Sequence, residues 1–323
     1  MGASDSAKHP VRRRSYAVYT VAIEHLFRTI FSWVDARVTG GYLYAVTRTG
    51  KTSALLYWAE SLCKQRYGTR LVLVRAIYKR RDRPSEANFL SMLARACGHD
   101  FVGTGKVDDL ECRIGNFLVV RSREAGMRHV LLIIDEGQSM GALEYSVLCN
   151  IQNQLEEHQV RLTVVAIGTQ VLTYQHQAFS LGDDAELAAR FMVRSDRFRG
   201  VESVEHLRYA LQGYDESEWP AKSGISYTRH FLPTAFDAGF RLAGLADSLW
   251  EEFTSQAPPA LVKKLEVGME YVGKSAEWLL ENPRDTAALV EHVSEALIRE
   301  AVDQTQYRLH MRSVARILQG VRQ

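Results

Sequence analysis

Cysteine is scarce in this chain of 323 residues, and its four thiols are not grouped. The sequence contains no Cys-x-x-Cys pair, and no histidine cluster stands at the spacing of metal ligands. These absences exclude a disulfide framework and a structural zinc site as organising elements of the fold. We therefore expect buried thiols in a reducing cytosol at Cys63, Cys97, Cys112 and Cys149.

Long apolar runs are also missing. No stretch is long enough to span a bilayer, and the polar residues 1–14 are not followed by an apolar run of the signal-peptide type. We expect a cytoplasmic protein with no membrane segment and with a basic tail at its start.

An excess of one charge is absent as well. The chain has 40 lysines and arginines against 38 aspartates and glutamates, which gives a formal net charge of +2. Any surface that binds nucleic acid must therefore be local rather than general. The hydrophobic fraction of 46% is large enough for one large domain or two modest ones.

Short apolar runs alternate with helix-like segments through the first part of the chain. Such alternation, with runs that are apolar throughout, predicts a doubly wound α/β domain around a parallel sheet. The predicted strands are 42–46, 71–74, 130–134 and 162–167, and the predicted helices are 52–67, 86–97, 110–125 and 143–157.

The rest of the chain has no β-rich run, and its apolar spacing is typical of helices. We predict a basic tail and helix at 1–38, an α/β core with a parallel sheet flanked by helices at 39–200, and a helical lid and C-terminal helical region at 201–323. The predicted helices outside the core are 16–38, 236–254, 261–280, 286–301 and 311–318.

The segment from Ala45 to Thr52 has the strand–loop–helix setting of a phosphate loop. In such loops a glycine, here Gly50, lets successive backbone N–H groups face a phosphate, and the following helix adds its positive end. Lys51 would neutralise phosphate oxygens, and the Thr52 hydroxyl would ligate Mg²⁺. Ala45 stands where the consensus has its first glycine. The predicted residues of this ATP site are Ala45, Thr47, Arg48, Thr49, Gly50, Lys51, Thr52 and Ser53.

An acidic pair follows the third predicted strand. Asp135 and Glu136 come directly after the apolar run 130–134, which is the Walker B arrangement. Asp135 would hold Mg²⁺, directly or through a water, and Glu136 would orient and polarise the attacking water. Together the two motifs predict an ATP hydrolase.

These segments resemble the AAA+ class of ATPases and, within it, the transposition regulators TnsC, TniB and MuB. The resemblance covers the ATPase core, roughly half of the chain. The sequence departs from this family at two places. Ala45 replaces the first glycine of the loop, and Gly137-Gln138 follows the acidic pair where relatives often carry an alanine and a histidine. The matching segments are Arg48-Thr-Gly-Lys-Thr52, Arg83-Pro-Ser-Glu-Ala-Asn-Phe-Leu90, Leu131-Leu-Ile-Ile-Asp-Glu136, Ile167-Gly-Thr169 and Arg190-Phe191.

The resemblance implies roles for polar residues outside the two motifs. Thr169 or Gln170, at the end of the fourth strand, would read the γ-phosphate as sensor 1. Arg190 is the preferred arginine finger, which would reach the ATP of a neighbouring subunit, and Arg194 is the second choice. Arg284 would open a lid helix as sensor 2. Each arginine could equally be a solvated helix end.

The resemblance also implies an assembly. Proteins of this kind bind ATP and Mg²⁺, form homo-oligomeric rings or helical filaments on double-stranded DNA, with hexamers or heptamers as options, and recruit or activate a transposase. A target-selection factor or adaptor, in some cases an RNA-guided complex, directs them.

Basic residues are dense directly after the second predicted strand. Arg75 begins this basic segment, and a second loop at 104–106 adds a positive charge. Loops of this kind can follow phosphates without reading bases, although the segment could equally be a solvated loop. The predicted DNA contacts are Lys79, Arg80, Arg81, Arg83, Thr104 and Lys106.

Two other functions stay open. A helicase loader or replication initiator of the same ATPase class would typically add a winged-helix or helix-turn-helix domain, for which the helical tail gives no clear pattern. A nucleotide-gated signalling scaffold with little hydrolysis is compatible with Ala45, but Glu136 argues against it.

Overall fold

The computed structural model describes residues 7–79, 83–98, 107–282 and 293–320. Within them, the chain divides into two compact units. The described residues of His25–Thr47 and Lys51–Phe198 form a sheet unit, and those of Met1–Glu24, Arg48–Gly50 and Arg199–Gln323 form a helical unit.

The sheet unit is built on five parallel strands: β1 (Gly40–Ala45), β2 (Val72–Ile77), β3 (His129–Asp135), β4 (Arg161–Thr169) and β5 (Arg194–Arg197). Their spatial order is β2-β3-β4-β1-β5. All residues of β3 are buried, as the unbroken apolar sequence predicts for a strand covered on both faces. The parallel α/β prediction is therefore confirmed.

Helices connect these strands, and the four predicted core helices are all present. Two further helices, Val171–Leu181 and Ala185–Phe191, lie between β4 and β5 and were not predicted. The helices up to β5 are α1 (Pro10–Arg13), α2 (Val21–Asp35), α3 (Lys51–Tyr67), α4 (Glu86–Ala96), α5 (Val107–Ala125), α6 (Ala142–Glu157), α7 (Val171–Leu181) and α8 (Ala185–Phe191).

The helical unit has its own apolar core, which includes the fully buried Leu211, Tyr214, Phe253 and Tyr307. Short 3₁₀ turns at Leu242–Leu245 and Val262–Lys264 interrupt its helices. The helices are α9 (Val204–Glu216), α10 (Tyr227–Phe231), α11 (Pro233–Asp237), α12 (Ala246–Ser255), α13 (Met269–Glu281), α14 (Glu295–Asp303) and α15 (Tyr307–Gly320).

Two predicted C-terminal helices were too long. The segment 236–254 is broken because Gly239 has a φ of +103°, a left-handed conformation that ends α11. The segment 261–280 becomes helical only at Met269, because Val267 forms an antiparallel bridge with Val201. Part of the predicted helix 286–301 lies outside the described residues. No helix in the described ranges is long and apolar enough to cross a membrane.

Candidate functional site

The strand order brings the predicted motifs to one edge of the sheet. Strand β4 lies between β1 and β3, with Ala45 opposite Thr169 and Asp135 opposite Ile167. Because the strands are parallel, the loop after β1, the acidic pair ending β3 and the polar end of β4 all lie at their carboxyl ends. This edge is where parallel α/β sheets bind ligands.

The phosphate loop owes its shape to two left-handed residues. Gly50 has a φ of +95° and Arg48 a φ of +68°, immediately before α3 begins at Lys51. Glycine is the residue that adopts such a φ without steric cost. Ala45, in contrast, is the last residue of β1, is 1% exposed and has no left-handed φ. Its methyl group is therefore compatible with this loop, so the departure from the consensus has no backbone cost.

Lys51 is folded back into the loop. Its Nζ donates to the Val46 carbonyl at 3.1 Å, and the residue is only 9% exposed. Burial lowers the pKa of Lys51, and the carboxylates of Asp135 and Glu136 oppose that shift. An ammonium group with two further donors at the mouth of such a loop suits phosphate oxygens. Thr47 and Ser53, on either side, are exposed.

Thr52 and Asp135 join the two motifs directly. The Thr52 hydroxyl donates to Asp135 Oδ2 at 2.7 Å, and Asp135 Oδ1 accepts the backbone N–H of Glu136 at 2.9 Å. Asp135 is 2% exposed, so its carboxylate is held in place on both sides.

This donor set fits Mg²⁺. A hydroxyl and a carboxylate are hard oxygen ligands, and Mg²⁺ usually takes one or two such groups together with substrate phosphates and waters. Among the described residues no group of three or more His, Cys, Asp or Glu side chains could hold a metal alone. A metal at Thr52 and Asp135 would therefore complete its coordination with phosphates and water.

Glu136 is linked to the end of β4 by Gln138, which the sequence marks only as a departure from the resembled family. Glu136 itself has a left-handed backbone, with φ 58° and ψ 30°. Gln138 Nε2 donates to Glu136 Oε2 at 2.6 Å, while Gln138 Oε1 accepts the Thr169 N–H at 3.1 Å. The signal for this bridge is Gly168, because a Cβ there would lie 2.1 Å from Gln138 Oε1.

Residues Arg48–Gly50 are braced within the helical unit by the start of α13. The carbonyl of Arg48 accepts the Glu270 N–H at 3.1 Å, and Arg48 Nη1 lies 3.4 Å from Glu270 Oε1. The Arg48 guanidinium also lies over the Tyr271 ring, 5.6 Å from its centroid. A Cβ on Gly268 would approach the Arg48 carbonyl to 2.8 Å, so glycine is what permits this contact. These contacts support the left-handed Arg48.

A small cavity adjoins the same loop within the helical unit. Its walls combine apolar residues with the polar Thr20, Arg199 and His206, and Thr49 forms one side of it. No motif points to this cavity in the sequence, since its walls come from four separate segments. The lining residues are Thr20, Val21, Ala22, Thr49, Arg199, Gly200, Val201, His206 and Met269.

The predicted arginines have different settings. Arg190, in α8, donates to Asn153 Oδ1 at 2.8 Å and lies 3.4 Å from Glu186 Oε1. Arg194 is exposed and lies on β5, so it is on an edge strand and not at a helix end. Arg284 lies outside the described residues.

The basic segment after β2 is partly engaged. Lys79 and Arg83 are exposed, whereas Arg75 donates to the α3 carbonyls of Leu55 and Leu56 and so supports the packing of α3 on β2. Arg75 is therefore a structural residue. The predicted contacts Arg80, Arg81, Thr104 and Lys106 lie outside the described residues.

No protein-family model matches the chain, and a search of curated proteins finds no match either. Solved structures do match. The Aeropyrum pernix ORC2 protein in its ADPNP–ADP complexes superposes with a TM-score of 0.59 at 15% identity, covering 92% of this chain and 71% of that one. Its ADP form gives a TM-score of 0.52 at 15% identity, with coverages of 87% and 67%. The sheet order, the flanking helices and this likeness show that the chain has the α/β fold of the AAA+ ATPases.

Proposed function

We propose that this protein binds ATP with Mg²⁺ at the carboxyl edge of its sheet and hydrolyses it. The 2.7 Å hydrogen bond between Thr52 and Asp135 carries the proposal, because it joins a phosphate loop to a carboxylate ending the strand beyond β4. Thr52 and Asp135 would hold Mg²⁺, which neutralises charge on the phosphates. Lys51 would bind the phosphate oxygens.

We assign roles to Glu136, Thr169 and Arg190 from their positions. Glu136, exposed beside the metal-binding pair, would accept a proton from the attacking water. Thr169, opposite Ala45 at the end of β4, would contact the γ-phosphate. Arg190 would act on the ATP of a neighbouring copy after leaving Asn153 and Glu186.

ADP and ADPNP in the ORC2 structures support a nucleotide as the ligand of this fold.

Removal of the lysine tests the proposal. We expect Lys51→Ala to weaken binding of a fluorescent ATP analogue by at least about tenfold and to abolish phosphate release, because the phosphates lose their buried cation. Lys64→Ala, an exposed lysine later in α3, is the matched control and is expected to behave as wild type. Equal nucleotide affinity in wild type and Lys51→Ala would refute the site.

Duplex DNA is the partner that we propose for the assembled protein. The support is the exposed Lys79 and Arg83 around a basic segment in a chain of nearly neutral net charge. Such contacts give salt-sensitive binding that tolerates any base sequence. We propose that self-association in the ATP state lines several copies of this segment along the duplex.

Charge removal tests the DNA contact. Lys79→Ala with Arg83→Ala should weaken duplex binding and flatten its salt dependence, with ATP affinity retained. The control is Lys263→Ala with Lys264→Ala, an exposed pair in the helical unit. Unchanged DNA affinity at every salt concentration in the first variant would remove the basic segment from this role.

Two biological roles fit such an assembly. A replication-initiator or helicase-loader role is supported by the fold likeness to ORC2 over 92% of the chain, and the comparisons favour it. A transposition-regulator role, with a transposase and a targeting factor as partners, is supported by the resemblance of Arg48–Thr52 and the other motif segments. Affinity purification of the tagged protein with ATP and DNA distinguishes them. Co-purification of a replicative helicase supports the first role and contradicts the second, and co-purification of a transposase does the reverse.

A further inference from the structure

We propose that Gln138 is a positioning residue that fixes the Glu136 carboxylate relative to the end of β4. This inference rests on the proposed ATP hydrolysis. The amide of Gln138 connects an acceptor and a donor. Its Nε2 donates to Glu136 Oε2 at 2.6 Å, and its Oε1 accepts the Thr169 N–H at 3.1 Å. One side chain thus links the proposed general base to the residue proposed to contact the γ-phosphate.

Chemistry fixes the direction of this bridge. A carboxylate oxygen can only accept a hydrogen bond and a backbone N–H can only donate one. If the Gln138 amide were reversed, its oxygen would face the Glu136 carboxylate and its NH₂ group would face the Thr169 N–H, so neither hydrogen bond could form. The rotamer of Gln138 is therefore determined by Glu136 and Thr169 together. A bridge with one allowed orientation restricts where the carboxylate can point.

The surrounding backbone is shaped to accept this amide. A Cβ on Gly168 would lie 2.1 Å from Gln138 Oε1, and a Cβ on Gly137 would lie 2.9 Å from the Ala166 Cβ. Both glycines thus make room for a close approach of the turn after β3 to β4. The left-handed Glu136 ends the strand and turns its side chain toward Gln138. Loss of the bridge would leave the carboxylate free to rotate in solvent.

Steady-state kinetics test the proposal. We expect Gln138→Ala to lower kcat by about tenfold or more while KM and the affinity for an ATP analogue change by less than about twofold, since misplacing a general base costs rate and not binding. Gln138→Glu, which keeps the size but cannot donate to Glu136, should lose as much. Ser139→Ala, in the same turn, is the control that should retain the wild-type kcat. A wild-type kcat in Gln138→Ala would overturn the proposal.

Gly168 supplies a second, independent route to the same result. Gly168→Ala should displace the Gln138 side chain and lower kcat. The added Cβ would also lie 3.0 Å from Leu172 Cδ1 and 3.1 Å from the Gln138 backbone nitrogen, so in the Gln138→Ala background we expect a smaller loss than in wild type. Fully additive losses in kcat would contradict the bridge.

The protein without nucleotide gives a readout other than activity. Gln138→Ala should lower the thermal unfolding midpoint less in a Glu136→Ala background than in wild type, because the hydrogen bond is already lost there. Equal shifts in both backgrounds would count against the bond.

The outcomes also separate the proposed ATP hydrolysis from the proposed role of Gln138. A Glu136→Gln variant with normal hydrolysis refutes the proposed function, whereas loss of hydrolysis in Glu136→Gln with normal kcat in Gln138→Ala and Gly168→Ala refutes only the role of Gln138.

Discussion

At the scale of single residues, the site depends on a few groups that are held from two sides. Asp135 accepts from both Thr52 and the Glu136 backbone, and Gly50 supplies the φ that turns the phosphate loop toward α3. Each of these groups can be removed separately. Loss of the Thr52 hydroxyl should affect metal binding, whereas a change at Gly50 should affect the shape of the loop.

Removal of the Thr52 hydroxyl should affect the metal specifically. Thr52→Val keeps the shape but removes the ligand, and we expect ATP affinity to fall by about tenfold or more with Mg²⁺ present and to change little in EDTA. It also leaves Asp135 Oδ2 without its donor, which should lower the free energy of unfolding by about 1–3 kcal/mol. Titrations with and without Mg²⁺ measure the first effect. The same loss of affinity under both conditions would show that Thr52 is not a metal ligand.

A methyl group on Gly50 should disturb the loop. At a φ of +95°, Gly50→Ala is expected to strain the backbone by about 1–2 kcal/mol and to weaken ATP binding as the loop shifts. Gly126→Ala is a matched control, since Gly126 has a φ of +94° at the end of α5 with open space around it. It should cost similar stability with ATP affinity intact. Unaltered ATP binding in Gly50→Ala would contradict the proposed role of the loop.

At the scale of elements, the strongly apolar strands were the part of the fold that the sequence predicts best. Strands β1 to β4 contain the apolar runs, and their ends moved by no more than a few residues. Strand β5 was missed because Arg194–Arg197 is Arg-Ser-Asp-Arg, which has no apolar side chain. Its backbone pairs with β1, and Asp196 accepts a hydrogen bond from Thr29 Oγ1 at 2.8 Å. Backbone pairing of this kind leaves no signal in the side-chain pattern.

The candidate site, like the fold, could be predicted from the sequence only in part. The phosphate loop and the acidic pair were predictable, because each is a contiguous motif whose chemistry is local. The Gln138 bridge was not, since one of its partners is a backbone N–H 31 residues away. The cavity beside Thr49 was not either, because its walls come from segments that meet only in the folded chain.

The start of β3 should make stability depend on pH. His129 is 2% exposed, and burial lowers its pKa to about 4. Thr163 Oγ1 donates to the Val38 carbonyl at 2.6 Å, so His129 Nε2 must donate to Thr163 Oγ1 at 2.9 Å as a neutral ring. Below about pH 6.5 the unfolded chain binds a proton there that the folded protein excludes until about pH 4, so stability falls as pH falls through this window.

Chemical denaturation of wild type and His129→Gln tests this account. Glutamine keeps a donor but does not titrate, so the variant should lose less unfolding free energy than wild type between pH 7 and pH 4.5, by about 1–2 kcal/mol. Parallel pH dependences in the two proteins would show that His129 does not cause the effect.

At the scale of the whole molecule, the proposed function needs more than one copy. Arg190 is held by Asn153 and Glu186 within its own sheet unit, and its proposed target is the ATP of a neighbouring subunit. In a head-to-tail arrangement, each copy would supply its arginine to the ATP site of the next copy. Only a site at an open end of the assembly would lack one.

Mixing two inactive variants tests this arrangement. Arg190→Ala keeps its own ATP site, and Glu136→Gln keeps its arginine and its ATP affinity, so random 1:1 assemblies should recover about a quarter of the wild-type rate of hydrolysis. Each variant alone should be nearly inactive. A mixture no more active than its components would show that Arg190 does not act between subunits.

The most direct test of the central claim is the turnover of Glu136→Gln. The substitution keeps the length of the side chain and removes its proton-accepting carboxylate. We predict ATP affinity close to that of wild type, phosphate release slower by about a hundredfold or more, and ATP-bound assemblies that persist on duplex DNA. Phosphate release at the wild-type rate would contradict the claim that this edge of the sheet is an ATP-hydrolysing site.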